Sequence, residues 1–181
     1  YSQPYRGVYP IKVNQRKEVV EEILKAGHRY GYGIEVGSKP ELMGALSLEQ
    51  PPDSLLVLNG IKDESYLAYA FVAAGMGRNV IVVCESLHEL YQMIRLQKKE
   101  TATPSSGFRV RLNARGSGKW QESGGATAKF GLSATELLEA IDILTREKMT
   151  GAFKLLHFHI GSQINENKRI KTANKGADCD K

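Results

Sequence analysis

The chain has 181 residues, of which 41% are hydrophobic, 25% charged and 8% aromatic. This is ordinary globular composition, which excludes disordered, collagen-like and coiled-coil classes and leaves enough apolar material for one buried core. The net charge of +5 is spread along the chain without a block of like charges, so neither nucleic acid nor a membrane surface is an expected partner.

In chain order, the first strand is expected over residues 7–13 and holds Lys12. An amphipathic helix follows, with Val19, Val20, Ile23 and Leu24 on one face. Short apolar runs at 32–36, 54–59 and 79–84 read as further strands. Ser38/Glu41 and Ser86/Glu89 have capping-box spacing and open the helices after the second and fourth strands. Leu67, Ala70, Phe71 and Ala74 mark the helix between the third and fourth. Strands at 108–112 and 154–160 flank a last helix, opened by Ser133/Glu136 and carrying Leu137, Leu138, Ile141 and Leu144 on one face. Residues 113–132 hold Gly116, Gly118, Gly124, Gly125 and Gly131 and read as a functional loop or a surface excursion. Residues 165–181 offer little to bury, so the chain divides into a unit over 1–164 and a frayed or divergent tail.

Strands alternating with helices imply an α/β fold with a parallel sheet and right-handed crossovers. That sheet is either doubly wound or an incomplete (βα)8 barrel, since a closed barrel needs ~250 residues. Near the C-terminal end of every strand stands a polar group: Lys12 and Asn14, Glu35, Asn59, Glu85, Arg111 with Asn113, then His157 and His159. Barrel enzymes build sites from many strands at one face, whereas doubly wound sheets concentrate them at one switch point. The expected fold is a partial (βα)8 barrel.

Cys84 and Cys179 form no CxxC, which suggests a reducing compartment rather than a disulfide or zinc framework. No apolar run approaches the ~18 residues of a membrane span, and no signal peptide opens the chain. The expectation is a cytoplasmic enzyme, and Tyr1 in place of Met points to a fragment of one.

Lys12 has apolar neighbours on both sides. Burial in a strand would lower its pKa and suit a Schiff-base nucleophile or a base, while an edge strand would let it snorkel to water. His157 and His159 share one face of a strand, a spacing that fits a metal pair or one stacking and one packing histidine. Gly161-Ser162 directly after them could meet a phosphate. Gly116-Ser117-Gly118-Lys119 lacks the first glycine and the final Ser or Thr of a phosphate loop, so nucleotide binding is not indicated. Glu35 and Arg111 are charges inside apolar runs, either paired with one another or serving a bound group.

The string Gly7-Val8-Tyr9-Pro10-Ile11-Lys12-Val13-Asn14-Gln15 resembles the cofactor-lysine segment of the biosynthetic arginine decarboxylases, pyridoxal-phosphate enzymes of the alanine-racemase-like class. Gly37-Ser38-Lys39-Pro40-Glu41-Leu42, Gly116-Ser117-Gly118-Lys119-Trp120, Ser123-Gly124-Gly125, Lys129-Phe130-Gly131-Leu132 and Leu155-Leu156-His157-Phe158-His159-Ile160-Gly161-Ser162-Gln163 continue the match. The resemblance implies that Lys12 carries pyridoxal 5'-phosphate as a Schiff base and that His159 stacks on its ring. It implies Ser162 at the phosphate, Arg111 near the phenolic oxygen and Glu35 at the acidic position near the cofactor. It further implies decarboxylation of L-arginine to agmatine in polyamine biosynthesis, a homo-oligomer at full length, and Mg2+ as a second cofactor on resemblance alone. The pyridine-nitrogen carboxylate, the main phosphate loop and the catalytic cysteine of such enzymes lie beyond this chain, which alone is expected to be inactive. The alternatives are an ornithine or diaminopimelate decarboxylase, a metal-dependent barrel hydrolase using His157 and His159, and a pyridoxal-phosphate-binding barrel without catalysis.

Overall fold

The computed structural model describes residues 5–51, 53–111 and 131–159. Six parallel strands lie in the order β1 (Val8–Pro10), β2 (Gly33–Val36), β3 (Leu55–Leu58), β4 (Asn79–Cys84), β5 (Ser105–Arg109) and β6 (Phe153–His157). The connecting helices are α1 (Lys17–Gly27), α2 (Lys39–Leu46), α3 (Glu64–Gly75), α4 (Leu87–Gln97) and α5 (Ala134–Arg146). Spatial order follows chain order without the reversal that defines a doubly wound sheet. The sheet also curls: Cα atoms of β1 and β3, and of β4 and β6, come within 8 Å across the intervening strand. Strands two apart in a flat sheet would stand about 9.6 Å from each other. The architecture is a partial (βα)8 barrel.

Alternation along each strand sorts the side chains between two faces. Ile34, Val36, Leu56, Leu58, Val80, Val82, Cys84 and Phe108 point outward and form one core with the helices. The helices present Val20 and Leu24, Leu42 and Ala45, Leu67, Ala70 and Phe71, Leu90 and Met93, and Ala140, Ile143 and Leu144. The concave face takes the odd-numbered set, from Glu35 and Val57 to Ile81 and Arg109. On α5 the buried stripe runs along Ala140, Ile143 and Leu144, so the expected Leu138 and Ile141 are rotated off it and exposed.

All three serine caps form: the Ser38, Ser86 and Ser133 hydroxyls accept from the N–H three residues on. Only Ser133 completes a reciprocal box, with Glu136 accepting from its N–H. Glu41 and Glu89 instead reach one residue further back, to the N–H groups of Gly37 and Glu85.

Three strand expectations need correction, the last strand ending at His157 so that His159 lies just beyond it. The first strand stops at Pro10, which brings no N–H to the ladder, and the chain turns into a 3-10 segment over Ile11–Val13. Lys12 is therefore exposed on that turn rather than buried in a strand. The fifth strand begins at Ser105 and ends at Arg109 rather than spanning 108–112, because Ser106 and Gly107 pair on both sides. Beyond it, Val110 bridges to Leu132, and Arg111 N–H donates to the Leu132 carbonyl at 2.9 Å.

Candidate active site

The concave face and the C-terminal strand ends enclose an open cleft of about 990 Å³. Into it project Lys12 from the turn after β1, Glu35 from β2, Asn59 after β3, Glu85 after β4, Arg109 from β5, and His157 and His159 from β6 and its continuation. Lys12, Glu35 and His159 thus line one cleft, from the turn after β1, from β2 and from the chain after β6.

The floor of the cleft is an ordered polar layer. Asn59 Nδ2 donates to Glu35 Oε1 at 3.0 Å. Arg109 Nη1 donates to Glu85 Oε1 at 3.1 Å, and the Glu85 side chain is only 4% exposed. The same carboxylate oxygen accepts the Gly60 N–H at 3.1 Å. Arg109 stands opposite His157 in the β5–β6 register. Burial, and then the Arg109 guanidinium, push the His157 pKa down to about 4. His159 is shifted the same way by burial, Arg109 and Lys12. Both imidazoles are therefore held toward the neutral form. Two buried acceptors or donors in this layer, Asn59 Oδ1 and His157 Nδ1, have no hydrogen-bond partner among the described residues.

Arg111 is not part of this layer. Its Nη2 donates to Glu136 Oε2 at 2.7 Å, tying it to the start of α5 instead of the cleft. Arg109 lies on the cleft floor instead, because the strand ends three residues earlier than its sequence suggests. Ser162 and the glycines at 116–125 lie outside the described residues. Sequence reasoning missed Arg109 and treated Glu41 only as a cap, although Glu41 also lines the cleft. It also missed Lys62, whose pairing depends on a residue far along the chain. Cys84 faces away from the site: its buried thiol lies 3.5 Å from the Met93 sulfur, and burial pushes its pKa up to about 12. No group of three or more His, Cys, Asp or Glu converges on a metal-sized site among the described residues.

The family model described as "Pyridoxal-dependent decarboxylase, pyridoxal binding domain" matches residues 2–179. This chain belongs to that family. The biosynthetic arginine decarboxylase of Phocaeicola vulgatus is 47% identical to it over 166 residues, 92% of this chain and 26% of that protein. That of Gloeobacter violaceus is 45% identical over 179 residues, 99% of this chain and 28% of its own length. Among solved structures, the biosynthetic arginine decarboxylase of Campylobacter jejuni superposes with a TM-score of 0.86 at 38% identity, covering 98% of this chain and 28% of that one. A diaminopimelate decarboxylase of Helicobacter pylori shares the fold, with a TM-score of 0.74 at 21% identity over 97% of this chain and 43% of that one. This pyridoxal-binding chain spans about a quarter of the length of the curated relatives it matches.

Membership decides against the metal-dependent hydrolase, and the residues present suit the family's cofactor. A pyridoxal group needs an amine, a flat wall and hydrogen-bonding partners for its ring substituents. Lys12 supplies an accessible amine, His159 an imidazole held toward neutrality, and Asn59 Oδ1 and His157 Nδ1 are buried polar atoms without partners.

Proposed function

We propose that this chain forms the cofactor-binding part of a cytoplasmic decarboxylase that converts L-arginine to agmatine and carbon dioxide, using pyridoxal 5'-phosphate, and so feeds polyamine biosynthesis. The observation that carries this reading is the cleft itself. It gathers Lys12, Glu35 and His159 in a chain 45–47% identical to two proteins named biosynthetic arginine decarboxylase.

When bound, pyridoxal phosphate supplies the electron sink that accepts charge as carbon dioxide departs. Lys12 Nζ would be the amine that holds the cofactor, and as a free amine it can carry a proton. His159 would form the wall against the ring, and its tendency to neutrality would avoid a second cation there. Glu35, oriented by the Asn59 amide, provides the acidic group of the site. Ser162 is assigned to the phosphate and Arg111 to the phenolic oxygen on family resemblance, which for Arg111 requires release from Glu136. The full-length enzyme is read as a homo-oligomer, with the working unit of this chain ending near residue 164.

Release of carbon dioxide from arginine, ornithine and diaminopimelate by the full-length protein tests the assignment. Arginine should be turned over fastest. Equal or faster release from ornithine would overturn it.

A further inference from the structure

Beneath the cleft lies a buried ion pair that does not line it. Lys62, between β3 and α3, and Glu89, in the first turn of α4, have side chains 0% and 4% exposed, with Lys62 Nζ 3.2 Å from Glu89 Oε2. Glu89 Oε1 accepts the Lys62 N–H at 2.9 Å, and Oε2 accepts the Glu85 N–H at 2.9 Å. Lys62 Nζ also donates to the Gly60 carbonyl, and the Gly60 N–H donates to Glu85 Oε1 at 3.1 Å. Glu85 is thus held at both ends: its backbone by Glu89, and its carboxylate by a loop whose carbonyl Lys62 holds. That loop has little freedom, because Gly60 has φ +73° and a Cβ there would stand 2.3 Å from the Gly37 carbonyl oxygen.

A buried pair of this kind contributes little net stability, since desolvation offsets its attraction, and apolar replacement is often neutral. Its bonds nevertheless converge on Glu85, whose Oε1 also receives Arg109. We propose that Lys62 and Glu89 are positioning residues. They fix Glu85 so that the Arg109 guanidinium stays on the cleft floor opposite His157, where it can meet whatever anionic group the cleft receives. The inference rests on reading the cleft as a pyridoxal-phosphate site for the kinetic part of its test only.

The test uses a full-length decarboxylase carrying this segment and the double variant Lys62→Met/Glu89→Gln, which leaves no unpaired buried charge. Two readouts are needed. The first is the proton-NMR titration of His159 in the cofactor-free enzyme. Burial, Arg109 and Lys12 act on it, with neither Lys62 nor Glu89 among them, so a change that disappears when Arg109→Gln is already present reports movement of Arg109. The midpoint should rise in the double variant, and Glu85→Gln should reproduce the rise. The second readout is coupling: kcat/KM for arginine should fall about tenfold, and by less than twofold when Arg109→Gln is already present. A lowered Tm with an unchanged His159 midpoint, or effects that multiply independently with Arg109→Gln, would overturn the proposal. If the wild type releases no carbon dioxide from arginine, the decarboxylase reading fails, and the His159 titration still decides this one.

Discussion

Arg109 and His157 face each other across the β5–β6 register, and the cation helps to keep the imidazole uncharged. Burial is the larger cause and Arg109 the next, with a neighbouring Glu85 pulling the other way. His157 therefore serves the cleft as a neutral hydrogen-bonding group.

This has a consequence for stability. His157 titrates near 6.5 when unfolded and near 4 when folded, so between those values the unfolded chain binds more protons. Its contribution is complete above pH 6.5 and is lost as pH falls from about 6.5 to about 4, to the extent of about 3 kcal/mol. Thermal denaturation of wild type and His157→Gln at pH 7 and pH 4.5 checks it. The variant should lose less stability over that interval, and equal losses in both proteins would count against the shift.

Lys12 is exposed on a 3-10 turn, so its replacement should cost little stability, within about 0.5 kcal/mol. Lys12→Ala should nevertheless abolish covalent capture of pyridoxal phosphate. Borohydride reduction followed by peptide mapping of the full-length protein is the measurement. Label retained in the Lys12→Ala protein would move the covalent site elsewhere.

His159→Ala should weaken cofactor retention about fivefold, the effect of losing a stacking wall worth roughly 1 kcal/mol. Dialysis against cofactor-free buffer with absorbance of the retained cofactor measures this. Retention equal to wild type would remove His159 from the cofactor's surroundings.

Gly60 and Gly77 both have positive φ, +73° and +80°, but they differ in surroundings. A methyl group at Gly60 meets the Gly37 carbonyl, whereas nothing lies within 4 Å at Gly77. Gly77→Ala should cost about 1 kcal/mol from backbone conformation alone. Gly60→Ala adds a backbone clash and should cost about 3 kcal/mol while also disturbing the Glu85 anchor. Paired melting curves check the difference, and equal costs would mean that the loop shifts freely.

Much of the architecture follows from local sequence. Ser38, Ser86 and Ser133 cap their helices because a hydroxyl and an N–H three residues apart meet whatever surrounds them. Strand–helix alternation and period-two patterning place Glu35 and His159 toward one end of a parallel sheet, and the resemblance of the Lys12 segment is equally visible in the primary structure. What the sequence does not carry is the outcome of contacts between distant segments. Pro10 ends β1 and leaves Lys12 on an exposed turn, while pairing on both sides pulls Ser106 and Gly107 into β5. That pairing brings Arg109, not Arg111, onto the cleft floor with Glu85. Lys62 finds Glu89 across 27 positions of chain, a partnership with no short-range signature. Caps and periods are settled within one or two turns of backbone, whereas register, sheet curl and buried charge pairing are settled only when whole strands and loops pack together.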